Sequence, residues 1–150
     1  MAVPHVFTVE PLGADLQALA QCLVLEATAL PTVGVRFGFE DPTAVTWVAR
    51  RVGNVCGFAS AVRIGVGLHL TALAVEPSLR RRGNARALLR AAAAETREIR
   101  LEVWVGNLAA FELYRSEGFV VEQMLPNFYA PALYGSSRDA FLMVRRRPSV

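Results

Sequence analysis

The densest chemical signal in this 150-residue chain is Leu73-Ala74-Val75-Glu76-Pro77-Ser78-Leu79-Arg80-Arg81-Arg82-Gly83-Asn84-Ala85. An apolar run ends in a proline turn and passes through three arginines into a helical pattern. Gly83 permits close backbone approach to a ligand, Ala85 keeps the first helical turn small, and the unpaired N–H groups of a helix start point at anion oxygens. The arginines add positive charge, so the stretch suits a diphosphate; taken alone, Arg-x-x-Gly-x-Ala equally fits a solvated basic loop. A second candidate is Glu102, a carboxylate on an otherwise apolar segment. Lining a partly dry cleft it would serve as a general base; on the outer face of an edge strand it would be a surface charge. Tyr114 is a helical phenol that suits either a core or a cleft.

Composition removes several other chemistries. All sixteen basic side chains are Arg, which excludes a Walker-type lysine and a Schiff-base lysine. Only His5 and His69 occur, and Cys22 and Cys56 lie far apart in sequence, so no metal or dithiol motif can be built. The cysteines read as two buried small residues in a reducing compartment rather than a disulfide. Two Arg triplets, at 80–82 and 145–147, carry six of the positive charges in a chain of net charge +3. Basicity is therefore local, which argues against a nucleic-acid partner; the run Arg145-Arg146-Arg147-Pro148 reads as a solvated tail. No segment is long and apolar enough for a membrane helix and the start lacks a secretory pattern, so a cytoplasmic protein is expected.

The elements that must position these residues are legible from periodicity. Residues 5–10 alternate as a short strand. Leu16, Leu19, Ala20, Leu23 and Ala27 follow at helical spacing, with Asp15 near the start, and predict an apolar helix face. Residues 45–51, 55–63 and 68–75, separated by Gly53-Asn54 and Gly65-Val66-Gly67, predict an antiparallel meander. Ala85, Leu88, Leu89, Ala92 and Ala93 predict a second helix. In a strand over 99–105, Leu101, Val103 and Val105 face one way and Glu102 and Trp104 the other. Asn107 is a good N-cap for a helix running to Glu117, where Gly118 can adopt the left-handed stop and Phe119 can close it. Two final strands, 120–124 and 140–145, flank a long loop at 126–139, a length that is often functional. One continuous domain over 1–150 is expected, of mixed α/β (α+β) class, with a mainly antiparallel sheet and at least one parallel crossover.

With its preceding strand, the first stretch resembles the acyl-CoA signature of the GNAT superfamily of N-acyltransferases, Val-x-Pro-x-x-Arg-x-x-Gly-x-Ala. Leu101-Glu102-Val103, Asn107, Ala110, Leu113-Tyr114 and Gly118-Phe119 resemble that superfamily's following strand and helix. Asn127-Phe128-Tyr129, Asp139-Ala140 and Met143 are similar to the RimI-like subgroup, the ribosomal-protein alanine N-acetyltransferases. The match runs from about Leu70 to Val144. It implies a central mixed sheet of six to seven strands flanked by helices, and acetyl-CoA as co-substrate without a metal. It also implies that main-chain groups of Leu73, Ala74 and Val75 hold the acetyl-pantetheine arm. Arg80, Arg81, Arg82, Gly83, Asn84, Ala85 and Arg86 would surround the pyrophosphate, and Asn107 would contact the cofactor. Glu102 would be the general base, directly or through water, and Tyr114 the proton donor to the departing thiolate.

The chain departs from that pattern at Asn84, where relatives usually have an aliphatic residue; a solvent-facing side chain is expected there, with a donor to phosphate as the alternative. Residues 30–41, with Arg36, Phe37, Phe39 and Glu40, show no match and are expected to shape the acceptor site. The acceptor is expected to be a protein or peptide α-amine, with a small-molecule amine as runner-up and a non-catalytic acyl-CoA-binding module or an RNA binder as more distant readings. The two acceptor loops hold only three carboxylates, Glu40, Asp41 and Asp139, too few to favour a polycation. A monomer or homodimer is expected.

Overall fold

The computed structural model describes residues 7–29, 43–80, 83–129 and 137–148. Strand β1 (Thr8–Pro11) leads to helix α1 (Leu16–Ala29), then to β2 (Ala44–Arg51), β3 (Asn54–Ile64) and β4 (Gly67–Val75). A 3-10 turn at Pro77–Leu79 precedes α2 (Asn84–Ala94), followed by β5 (Glu98–Trp104), α3 (Leu108–Ser116), β6 (Val120–Leu125) and β7 (Ala140–Arg146). The strands form one sheet in the order β1-β2-β3-β4-β5-β7-β6. Only β4 and β5 pair in parallel, and α2 is the crossover that such a pair requires. The meander, the parallel crossover and the two final strands all form as the sequence predicts.

The central strands of the sheet are covered on both faces, whereas the edge strands β1 and β6 are largely exposed. Leu68, Leu70, Val75, Leu101 and Val103 pack with Leu88, Leu89 and Ala92 of α2 and with Tyr114 and Phe119. Val48, Phe58 and Ala74 on the other face pack with Cys22 and Leu25 of α1. The expected face of α1 is corrected here: Leu16 is 78% exposed and Leu23 49%, whereas Ala18, Cys22 and Leu25 are buried. The helix is apolar nearly all round, so spacing alone does not choose its inner face. Small Ala18 and Cys22 let it sit close to the sheet. Its start is capped by Asp15, whose carboxylate accepts from the Ala18 N–H at 2.9 Å. That hydrogen bond, and then Arg50, hold the Asp15 carboxyl below its ordinary range. Cys22 and Cys56 are both buried, and neither forms a disulfide among the described residues.

The helix α3 begins and ends as its sequence dictates. The Asn107 side chain accepts from the Ala110 N–H at 3.2 Å; Gly118 takes a φ of 91°, and the Phe119 N–H donates to the Tyr114 carbonyl. The expected solvated tail is a second correction. Arg145 and Arg146 belong to β7, Arg146 pairs with Glu98 and Glu122, and Arg147 donates to the carbonyls of Thr96 and Ala94. These last carbonyls of α2 and its exit turn need donors, and Arg147 supplies them.

One feature of the sheet positions everything that follows. β4 and β5 make ladder pairs only at Leu68↔Ile99 and His69↔Arg100, although the strands continue to Val75 and Trp104. On its other edge β4 stays paired to β3 as far as Gly57↔Val75, and β5 to β7 as far as Trp104↔Ala140. From Leu70 and Leu101 onward, then, the facing edges diverge into a wedge that opens at the carboxyl ends of both strands. Its local cause is a β-bulge: Ala61 pairs with Leu70 and Ser60 with Ala72, leaving Thr71 as the extra residue that bends β4. The Thr71 hydroxyl donates to the Ser60 carbonyl at 3.1 Å and secures the bulge.

Candidate active site

The wedge carries free main-chain groups. The Glu76 N–H donates to the Cys56 carbonyl at 2.8 Å, so by the alternation of an antiparallel ladder Ala74 also faces β3, while Leu73 and Val75 direct their N–H and C=O groups to the open edge. The Val75 carbonyl is taken by Arg80 Nε at 3.2 Å. Of the three residues expected to hold an extended ligand arm, Leu73 and Val75 therefore present their backbones to the wedge, and Ala74 does not.

Beyond the wedge, Gly83 caps α2 with φ 85° and ψ 0°. A methyl group at Gly83 would meet nothing within 4 Å; the glycine is required by the left-handed backbone rather than by crowding. No side chain caps the helix, so the first-turn N–H groups, starting with those of Asn84 and Ala85, are left for a ligand. Asn84 departs from expectation. It is 4% exposed, its amide donates to the Leu79 carbonyl at 3.2 Å, and its oxygen accepts from the Cys56 thiol at 3.6 Å. The side chain faces neither solvent nor the anion site; it pins the preceding turn to the core. Burial pushes the Cys56 thiol above its usual range. Arg80 is exposed at the turn with its Nε on the Val75 carbonyl, and Arg86 is bonded to Glu117 and to the Ser116 hydroxyl at 3.1 Å. Arg81 and Arg82 lie outside the described residues, as do Glu40, Asp41, Tyr134 and His5.

Across the wedge, Glu102 meets a partner that the sequence did not announce. Its Oε2 lies 2.6 Å from His69 Nε2, with side-chain exposures of 20% and 16%. The neighbours Leu68, Leu70, Leu101 and Val103 all point into the α2/α3 core, so His69 and Glu102 project together from the α1 face. The signal was alternation within both strands; what was missing was the knowledge that β4 and β5 are neighbours in parallel register. Trp104 stands on the same face, its indole donating to the Ser137 carbonyl at 3.0 Å and covering Gly106, where a Cβ would lie 2.4 Å from the ring.

Tyr114 sits on the opposite face. It is 9% exposed, its ring is tilted against Phe119 at 5.8 Å, and burial pushes its phenol up to about 12. The hydroxyl has no hydrogen-bond partner among the described residues. Asn107 uses its carbonyl oxygen as the α3 cap, which leaves its amide donor outward. Asp139, one of the three loop carboxylates, accepts from the Asn127 N–H at 2.9 Å. Among the described residues no group of His, Cys, Asp and Glu could hold a metal, and no helix is long and apolar enough to cross a membrane.

A mixed sheet split between two parallel strands, with an uncapped helix start at the split and a carboxylate on its wall, defines an acyl-coenzyme A transferase architecture. The family described as "Acetyltransferase (GNAT) domain" matches residues 42–121, and the chain belongs to it. No curated protein matches. Among solved structures, the chain is similar to the ribosomal-protein-S18-alanine N-acetyltransferase from Escherichia coli, at 25% identity, 94% coverage of each chain and a TM-score of 0.77. It is also similar to Arabidopsis thaliana Naa50 in complex with the bisubstrate analogue CoA-Ac-MVNAL, at 18% identity, 94% and 99% coverage and 0.76. Ard1 from Thermoplasma volcanium aligns at 23% identity, 98% and 100% coverage and 0.75. The fold class expected from the sequence is thus the observed one, and the protein is an acetyl-CoA-dependent N-acetyltransferase.

Proposed function

We propose that this enzyme acetylates the α-amine of a protein or peptide N-terminus, acting in the cytoplasm as a monomer or homodimer. The observation that carries the reading is the His69–Glu102 pair on the wedge wall, opposite the Tyr114 phenol. In this reading the diphosphate rests on the first-turn N–H groups of α2 with the 80–86 arginines around it. The pantetheine arm hydrogen-bonds the open edge at Leu73 and Val75, and Asn107 donates to the cofactor. The thioester then sits between the two faces of the sheet. A neutral amine attacks the carbonyl carbon, and Glu102 takes the proton that the nitrogen sheds, with His69 orienting the carboxylate. As the tetrahedral intermediate collapses, the C–S bond breaks and Tyr114 donates to the departing sulfur. The products are an N-acetyl amide and the coenzyme A thiolate, held by the Tyr114 hydrogen bond; the thiolate takes up a proton from solvent as Glu102 returns its own, so both side chains end as they began.

The α-amine is favoured by its acidity. It titrates near ~7.8 against ~10.4 for lysine, so deprotonation at neutral pH costs about 3.5 kcal/mol less, within reach of one carboxylate. With Asp139 its only carboxylate, the 126–139 loop also offers a polyamine little. Two buried thiols outside any disulfide fit a reducing compartment. The test is thiol release from acetyl-CoA across a panel of N-terminal peptides and small amines, with mass spectrometry of the products. Acetylated peptide α-amines support the reading; modification of small amines alone overturns it.

A further inference from the structure

Between the far half of α2 and the end of β7 stand three arginines that the proposed reaction does not use: Arg90 on α2, Arg145 on β7 and Arg147 just after it. A cavity of about 430 Å³ has Leu89, Ala93 and Phe119 in its lining, with Arg90, Arg145, Arg147 and Glu117 around them. The three apolar residues are 1%, 4% and 1% exposed. We propose that this cavity binds a small organic dianion bearing an apolar or aromatic body, at a site separate from the diphosphate cradle.

Charge and preorganisation support this. Three guanidinium groups face one carboxylate, and that carboxylate is already shared with Arg86 outside the cavity. Arg90 is held on Glu117 by two bonds of 2.8 and 3.1 Å, and Arg147 is held on the carbonyls of Thr96 and Ala94, both at 3.0 Å. Each keeps spare N–H donors. Arg145 lies along Gly118, its Nε 3.5 Å from where a Cβ would stand, and no carboxylate pairs with it among the described residues. Guanidinium groups already fixed in place lose little freedom on meeting a phosphate or carboxylate, and they can bind it bidentately. The excess charge matches a dianion better than a monoanion, and the apolar lining rewards a body that inorganic phosphate lacks. At 1.5 Å per residue, Ala93 lies about 15 Å along α2 from Gly83, too far for one phosphate to occupy both places. The site therefore stands independently of the proposed acceptor.

The experiment titrates phenyl phosphate into the full chain, with and without coenzyme A, and follows backbone amide resonances. Saturable shifts at Ala93, Ala94, Gly118 and Phe119, unaffected by coenzyme A and in the range of about 1 mM or tighter, are expected. Benzoate and inorganic phosphate should each bind several-fold more weakly. Arg145→Gln should weaken phenyl phosphate about tenfold and leave acetyl transfer unchanged, and Arg145→Lys should fall between. Absence of saturable shifts in the unsubstituted chain, shifts confined to Ala85 and Arg86, equal affinity for inorganic phosphate, or undiminished binding by a folded Arg145→Gln protein would each overturn the proposal.

Discussion

Replacing Tyr114 by Phe separates catalysis from folding, because the structure makes the hydroxyl dispensable to the core. The ring is 9% exposed and keeps its contact with Phe119, while the hydroxyl has no partner among the described residues to strand. Stability should therefore change by less than about 1 kcal/mol, a shift of a few degrees in Tm for a domain of this size. Burial places the phenol at about 12, whereas a simple thiol titrates near ~8.5, so complete transfer of the proton to a free thiolate is uphill by about 5 kcal/mol. In the proposed role the phenol therefore acts chiefly by holding a hydrogen bond on the sulfur while charge develops there. A preorganised donor of that kind is worth roughly 10²–10³ in kcat. Thiol release at saturating acetyl-CoA should fall by that factor, with the KM for acetyl-CoA within about threefold of the parent, because the lost interaction belongs to the transition state. A kcat within a factor of about three of the parent, in a folded protein, would refute the assignment.

Glu102→Gln retains a hydrogen-bonding partner for His69 but removes the base; turnover should drop by about 10²–10⁴, with coenzyme A affinity by calorimetry unchanged. Gly83→Ala adds no clash but forces alanine to φ 85°, a strain of about 1–3 kcal/mol; thermal stability or coenzyme A affinity should fall accordingly, as melting and calorimetry will show. Tyr114 also makes an alkaline prediction. Its folded value is raised from 10 to about 12, so its contribution to stability is complete below pH 10 and is lost between about pH 10 and 12, by on the order of 3 kcal/mol; Tyr114→Phe should flatten that limb of a denaturant-versus-pH profile. Glu117 works in the opposite direction: the hydrogen bond from Arg90, and then Arg86, holds its carboxyl below 4.5. Its contribution is present above that value and lost as pH falls through the depressed one, so Glu117→Gln should reduce the acid dependence of unfolding.

What could be read from sequence was local. Asn107, Gly118 and Phe119 announce the two ends of α3 because caps and left-handed stops involve residues only a few positions apart. The inner face of α2 was legible because Leu88, Leu89, Ala92 and Ala93 stand against Arg86 and Arg90 on the outside. On α1 no such contrast exists, and the larger Leu16 and Leu23 claim attention while the smaller Ala18 and Cys22 take the core. The burial of Asn84 is not legible in sequence because its partners, Leu79 and Cys56, come from a turn and a strand whose approach depends on tertiary packing. His69 was passed over for the same reason. Nothing near it in sequence is acidic, and its carboxylate arrives only through the register of a parallel pair that a whole helix separates.

That register also bears on the proposed placement of the chemistry at the split in the sheet. Glu102 projects from the α1 face and Tyr114 lies in the core of the α2/α3 face, so an intact β4–β5 ladder would separate a base from an acid by a layer of backbone. The Thr71 bulge and the loss of pairing after His69 and Arg100 remove that barrier where both strands end. The same opening frees the backbone of Leu73 and Val75 and brings the chain to the uncapped start of α2. An extra residue in one strand therefore links three otherwise unrelated properties: edge groups that can hold an amide-rich arm, a helix start that can hold a diphosphate, and access between the two faces that carry the proposed base and the proposed donor. Deleting Thr71 should close β4 onto β5. The predicted result is a folded sheet that has lost coenzyme A binding and turnover together, unlike the Tyr114 and Glu102 variants, which lose turnover alone.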